Sequence, residues 1–406
     1  MPVPRTVRRP AGADKKASPP VLSQEFFIQN HADIFSCITI LILIGMMAPV
    51  TNWLAVPFVA MTSNVTTQEE LQADPGRPIE YTTGFRDVFA VIFYAMVCII
   101  MHQIIQEYIV DKITRRLHLS KLRTSRFSES AQLVCFYLIT FIWAVDLMVG
   151  RGYLTNHRTV WENYPHSKML FHEKFFMVLQ LAHWVHTYAE LYLQKVKKED
   201  MQSRLIYQTI NLVVVLAAYM TNFHRLLAVL MLVESAVQVL FHSAKILHYS
   251  ERNRWAAPLF SAFNAAFVFS RFLSVALSGY VMLYALKPSQ ISSIDRETGN
   301  YNTPFIKVVA FAGIVVLNFW MLTRFLTFHF RRRRERTEAV MQRKKLAGER
   351  RSKASSTAVR GESSDDAGDY ERSPESSPKA AAASSNSPRS QNNAAGRIRT
   401  KGNKSE

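Results

Sequence analysis

Long apolar stretches alternate with basic clusters along this chain. Apolar residues run from Ile34 to about Val59 and again from Phe85 to Val110, after which come Lys112, Arg115, Arg116, Lys121, Arg123 and Arg126. The pattern repeats. The chain is apolar from Ala131, basic at Lys195, Lys197 and Lys198, apolar from Leu205, and basic at Arg252 and Arg254. A last apolar stretch from Phe305 ends in Arg331-Arg332-Arg333-Arg334. A hydrocarbon core about 30 Å thick needs about 20 apolar residues per helix, and basic residues mark the loops kept in the cytosol. The pattern predicts an all-α, polytopic transmembrane helix bundle of about eight spans. Their bounds are Ile34–Val59, Phe85–Val110, Ala131–Val149, Met169–Leu193, Leu205–Tyr219, Leu226–Ala244, Pro258–Leu286 and Phe305–His329.

An even count places both termini in the cytosol. The loops Asn64–Gly84, Gly150–Lys168 and Lys287–Thr303 then face the opposite side, and their few basic residues are offset by Glu69, Glu70, Asp74, Glu80, Glu162, Asp295 and Glu297. The short turn Thr221–Arg225 makes the fifth and sixth spans a helical hairpin. Four regions follow: a cytosolic arm with a short interfacial helix (1–33), two spans with their loops (34–125), a transmembrane core (126–331) and a disordered cytosolic tail (332–406). Ser23 is placed to cap the short helix, which runs into His31 and Asp33.

Charge and cysteine usage refine this picture. The net charge of +18 belongs to loops and tails, where it suits anionic lipid heads rather than nucleic acid. Cys37, Cys98 and Cys135 lie in separate apolar stretches with no disulfide or metal spacing, so they read as small apolar residues. The sequon Asn64-Val65-Thr66 falls in a non-cytosolic loop and makes Asn64 a glycosylation candidate. A second sequon at Asn403 falls in the tail. Ser373, Ser377 and Ser387, each followed by proline, are phosphorylation candidates.

Polar residues inside spans are costly and therefore informative. His183, His186 and Glu190 share one helical face, which Gln180 and Gln194 extend. Two histidines and a carboxylate suit zinc or iron, but H-x-x-H-x-x-x-E is not a recognised ligand spacing. The reading is a polar stripe, with no metal or other cofactor. Glu234 and Arg271 lie at similar depth on antiparallel spans, which predicts a buried ion pair. His183, His186, Glu190, Glu234 and Arg271 together form the candidate polar intramembrane cavity. Asp146, His102, Lys307 and Arg324 sit nearer span ends, where they can snorkel. No nucleophile elbow, phosphate loop or H-E-x-x-H is present.

Three segments carry a family resemblance: P-P-V-L-S-Q-E-F-F-I-Q-N-H-A-D from Pro19, Q-E-Y-I-V-D-K-I-T-R-R from Gln106, and E-L-Y-L-Q-K-V-K-K-E-D from Glu190. They resemble the translocating chain-associated membrane proteins, within the wider TLC-domain family. The resemblance implies a TLC-like core over about 126–331 and an endoplasmic reticulum protein beside the Sec protein-conducting channel. Such a protein assists insertion or translocation of ribosome-bound nascent chains without catalysis. TLC relatives include ceramide synthases, so a lipid-handling enzyme or lipid sensor is the alternative. The resemblance places the histidine pair of those enzymes at Tyr207 and Gln208, their His-Asp at Glu234 and Ser235, and a later Asp at Gln238. The acid–base histidines of acyl transfer are therefore replaced.

Overall fold

A computed structural model describes residue 20, residues 23–193 and residues 198–361; side chains of 198–200 and 350–361 are not described. Ser373, Ser377, Ser387, the second sequon, Gln194, Lys195, Lys197 and the arm before Pro20 lie outside the described residues. The chain divides at Arg331/Arg332 into two units.

Its elements are α1 Gln24–Gln29, α2 His31–Met47, α3 Pro49–Val59, α4 Gln68–Ala73, β1 Glu80–Tyr81, α5 Asp87–Ile105, α6 Asp111–Leu117, α7 Lys121–Gly150, β2 Met169–Leu170, α8 Phe171–Leu193, α9 Lys198–Met220, α10 His224–Tyr249, α11 Asn253–Gly279 and α12 Pro304–Gly361. Wider π turns follow α5 at Gln106–Val110 and α11 at Tyr280–Ala285. By length and composition, six helices are fit to cross a membrane: those built on α5, α7, α9, α10, α11 and α12. Helix α2 is apolar but shorter. Helix α8 has 23 residues, long enough to cross, but it carries polar side chains.

The first apolar stretch differs from its single-span reading. Proline at 49 has no N–H to continue α2 and pushes Ala48 into an extended conformation, ψ 125°. Helix α3 then starts with Pro49 in its first turn and doubles against α2. The Thr51 hydroxyl donates to Gly45 O at 2.7 Å and the Asn52 amide to Met46 O at 2.6 Å. A Cβ at Gly45 would already touch Ala55 Cβ at 3.5 Å. Ser23 caps α1, its Oγ accepting from Phe26 N at 3.1 Å, but α1 stops at Asn30, so His31 and Asp33 open α2 instead.

The outer face of the bundle is apolar, as lipid requires, and its interior combines an apolar core with buried polar side chains. Leu41 is 67% exposed, Met47 85% and Phe319 66%, whereas Ser270, Ser274, Ser278 and Arg271 are buried. The serines fall at i, i+4 and i+8 on α11, so one narrow face of small residues lets neighbouring helices approach. Glycine at 279 serves the same end, since a Cβ there would lie 3.1 Å from the Phe311 ring of α12. Helix α10 packs between α7 and α11, and α5 packs along α8.

The connections 60–86, 151–170, 221–223 and 286–303 gather at one end of the bundle. Strands β1 and β2 pair antiparallel there, the only ladder among the described residues and one that an all-helical reading did not foresee. The Tyr164 hydroxyl donates to Thr221 O at 2.7 Å, Asn222 Nδ2 to Gly299 O at 2.9 Å and Arg225 to Thr159 O at 2.8 Å. His166 donates to Glu162 O at 2.9 Å, and burial pushes its imidazole down to about 4, so it is neutral at pH 7. The basic ends of α7 and α10 meet at the opposite end through an Arg123–Glu251 ion pair.

Residues 332–361, which the sequence placed in a disordered tail, are helical within α12. The segment is rich in Arg, Lys, Glu and Ala, all strong helix formers. It also carries an i,i+4 pair, Arg334 Nε to Glu338 Oε1 at 2.8 Å.

Candidate functional site

The predicted Glu234–Arg271 pair is formed, joining α10 to α11. The Arg271 side chain is 6% exposed and that of Glu234 is 28% exposed. Each is further held. Gln238 Nε2 donates to Glu234 Oε1 at 2.7 Å, one helical turn along α10. Arg271 Nε donates to Ser270 Oγ at 3.3 Å, its Nη1 lies 3.1 Å from Met321 Sδ, and its guanidinium sits 4.9 Å from the Phe267 ring centroid. Tyr137 and Tyr207 adjoin Glu234. A charged pair thus stands in an otherwise helical, apolar span region, with its remaining donors and acceptors supplied from both sides.

Two of the other three predicted residues, His186 and Glu190, meet between α5 and α8. His186 and Glu190 face each other along α8, Nε2 to Oε2 at 3.8 Å, and His102 from α5 brings its Nε2 to Glu190 Oε1 at 3.1 Å. The sequence had assigned His102 to a snorkelling span end; the helix-packing partner is what it lacked. His183 instead stacks on Phe136 of α7, centroids 3.3 Å apart. Its neighbour Tyr137 stacks on His242 of α10. None of the five predicted residues lines either of the two cavities that follow. A cavity of about 500 Å³ lies instead at the basic end, lined by Leu122, Arg123, Arg126, His248, Tyr249, Glu251 and Asn253. A second of about 240 Å³ opens between α9 and α12 at Gln202, Ser203, Ile206, Trp320 and Arg324.

At the loop end, sequence reasoning missed a buried ionic hub. Lys174 in the first turns of α8 is fully buried. Its ammonium donates to Asp87 Oδ1, Thr62 O and Thr82 O, each at 2.7 Å, which uses all three of its protons. Asp87, at the start of α5, also accepts from the Tyr219 hydroxyl at 2.7 Å, Gly84 N at 2.8 Å and the Thr62 hydroxyl at 3.3 Å. The adjacent Glu173 takes a bidentate fork from Arg151, at 2.8 and 2.5 Å, plus the Tyr153 hydroxyl at 3.0 Å. Both residues sit where an apolar run begins, so they read in sequence as boundary charges.

Asn64 is exposed at the same end, with its Oδ1 accepting from Thr66 N at 2.9 Å and the Thr66 hydroxyl accepting from Glu80 N at 2.8 Å. The positions that the resemblance laid on the ceramide synthase residues are occupied by structural contacts. Gln208 Nε2 donates to Thr187 O at 3.4 Å, Ser235 Oγ donates to Leu232 O at 3.1 Å, and Glu234 and Gln238 belong to the arginine pair.

Comparison with known proteins agrees with this layout. The model of the TLC domain family matches residues 126–327. Translocating chain-associated membrane protein 2 of Homo sapiens is 38% identical over 316 residues, covering 78% of this chain and 84% of the relative. The protein of the same name from Mus musculus is 38% identical over the same length. Ceramide synthase 5 of Mus musculus is 26% identical over 148 residues, 36% of this chain and 35% of the relative.

Proposed function

The chain belongs to the translocating chain-associated membrane protein family, and on that footing we propose that it is a non-enzymatic accessory of protein translocation in the endoplasmic reticulum membrane. Its partners in this reading are the Sec protein-conducting channel, ribosome-bound nascent chains and membrane lipids. Both termini face the cytosol, and the loop end faces the lumen. The observation that carries the reading is the Glu234–Arg271 pair, an ion pair held among apolar spans between α10 and α11. A central charge in an inserting helix costs about 2.5–3.5 kcal/mol. A membrane protein that draws water or lipid heads inward, and so thins the bilayer, lowers that cost for weakly apolar segments. The polar group at His102, His186 and Glu190 adds to the same effect from the other side of α7.

A photocrosslinking residue at Ile206, beside the opening between α9 and α12, is expected to capture secretory nascent chains during translocation. The same probe at Leu154, in the loop end, is expected to capture few. Equal capture at both positions, or none at either, would defeat the reading. The enzymatic alternative predicts acyl transfer from acyl-CoA. With Tyr207 and Gln208 in place of histidines, purified protein is expected to show no turnover.

Asn64 is the proposed glycosylation site. Endoglycosidase treatment is expected to increase the mobility of the wild-type protein by about one glycan, and Asn64→Gln to abolish the shift. An unshifted wild-type band would remove both the modification and its support for a luminal loop end. Ser373, Ser377 and Ser387 remain proposed phosphate acceptors on the cytosolic side.

A further inference from the structure

We propose that His102, His186 and Glu190 form a binding site for a divalent transition metal of the zinc type, clamping α5 to α8 near the basic end of the bundle. This inference rests on the geometry of the three side chains and not on the translocation reading.

The three residues each offer one ligand atom, and these atoms all lie within 4.8 Å of one another. Zinc bonds of about 2.0–2.1 Å place tetrahedral ligand atoms about 3.3 Å apart. His102 Nε2 and Glu190 Oε1 already stand at 3.1 Å, and His186 Nε2 and Glu190 Oε2 at 3.8 Å. Closing a separation of at most 4.8 Å to about 3.3 Å takes side-chain shifts of about 1.5 Å in all. Two imidazoles and a carboxylate make a borderline donor set that suits zinc, with a fourth position left for water.

A second observation concerns the proton on His186. Its Nδ1 lies 2.5 Å from the carbonyl oxygen of His183. A carbonyl can only accept, so Nδ1 carries the hydrogen. In the neutral ring Nε2 then presents a bare lone pair. That lone pair lies 3.8 Å from Glu190 Oε2, so a cation between the two would find a donor atom on each side. An Nδ1–H donated to a backbone carbonyl is also the support that metal-binding histidines commonly use to fix ring orientation.

The backbone around His102 is held as well. Gln132 of α7 donates its amide to His102 O at 3.1 Å and to Gln106 Oε1 at 3.2 Å. The π turn Gln106–Val110 begins four residues on, and such local widenings recur at functional sites. The cluster is reachable: the His102 and Glu190 side chains are 24% and 26% exposed, while His186 is 7% exposed. His183 stays outside the set, its ring committed to Phe136.

The test uses the full chain without a polyhistidine tag, stripped with chelator and titrated in nanodiscs with Zn²⁺ or Co²⁺. One equivalent is expected per chain, with visible d–d bands for cobalt. His102→Gln and Glu190→Gln are each expected to weaken binding by more than about 100-fold, beyond the 10–100-fold loss typical of an outer partner. His102→Cys is expected to restore cobalt uptake and add a thiolate charge-transfer band. His242→Gln, on α10 and outside the cluster, is expected to bind like wild type. Uptake below about a tenth of an equivalent, or binding that survives both Gln variants, would overturn the site in favour of a shared proton. If the variants do not fold, X-ray absorption of the zinc-loaded wild-type chain decides. Imidazole scattering at about 2.0–2.1 Å supports the proposal, and an oxygen-only shell overturns it.

Discussion

Lys174→Met is expected to destabilise the protein by about 3–5 kcal/mol, measured by thermal or denaturant unfolding in detergent micelles. That is the cost of stranding one charge of a buried pair. The ammonium is fully buried and saturated, with one carboxylate and two carbonyl acceptors at 2.7 Å. Removing it leaves Asp87 charged with only neutral donors and leaves Thr62 O and Thr82 O without their partner. Five segments lose their common tie: the turn after α3, the stretch after β1, the start of α5, the start of α8 and the end of α9. Asp87→Asn is expected to be nearly as damaging. The amide keeps an acceptor for Tyr219 or Gly84, but Lys174 keeps its charge. Because both substitutions break one unit, the double variant is expected to fall short of the sum of the singles by about 1–3 kcal/mol. Additive losses would mean that the two side chains act independently. A loss below about 1 kcal/mol for Lys174→Met would mean that water reaches the hub.

Six of the eight expected spans were legible because apolar length is a one-dimensional signal, and lipid imposes it on every crossing helix. The face shared by His186 and Glu190 was legible for a similar reason, since helical periodicity alone sets it. The Glu234–Arg271 pair followed from depth, as two antiparallel spans brought opposite charges to one level. Whatever depended on the choice of neighbouring helix was hidden. His102 has no local mark that aims it at Glu190; only the packing of α5 along α8 does so. The Lys174–Asp87 contact joins positions 87 residues apart, and nothing local to either residue names the other as its partner. One missed feature did have a local signal. Pro49, preceded by Ala48 in the first apolar stretch, marks the break between α2 and α3. The helical start of the tail was hidden by its charge, because the composition of a solvated helix overlaps that of a disordered segment.

Glu234→Gln is expected to be more destabilising than Arg271→Met, and the order of the two is the sharper prediction. Arginine cannot shed its charge in a protein. With Glu234 neutralised, a guanidinium that is 6% exposed must stay charged among Phe267, Met321 and Ser270. A loss of about 3–5 kcal/mol follows from removing its counter-charge. Arg271→Met strands the other partner, which is 28% exposed and keeps contact with its surroundings and with the Gln238 amide. Its loss is expected to be smaller, about 1–3 kcal/mol. The double variant Glu234→Gln/Arg271→Met removes both charges and is expected to recover most of the stability. This makes it the informative variant for function. Reconstituted into vesicles with the Sec channel, it is expected to support strongly apolar signals as wild type does, yet to lose the advantage for weakly apolar or charged segments. If the stable double variant inserts weak segments as well as wild type, the paired charge only fixes helix packing, and the membrane-perturbing role passes to the His102, His186 and Glu190 group. If Arg271→Met proves the more damaging single change, the difference in exposure between the two side chains does not set the cost of stranding either one.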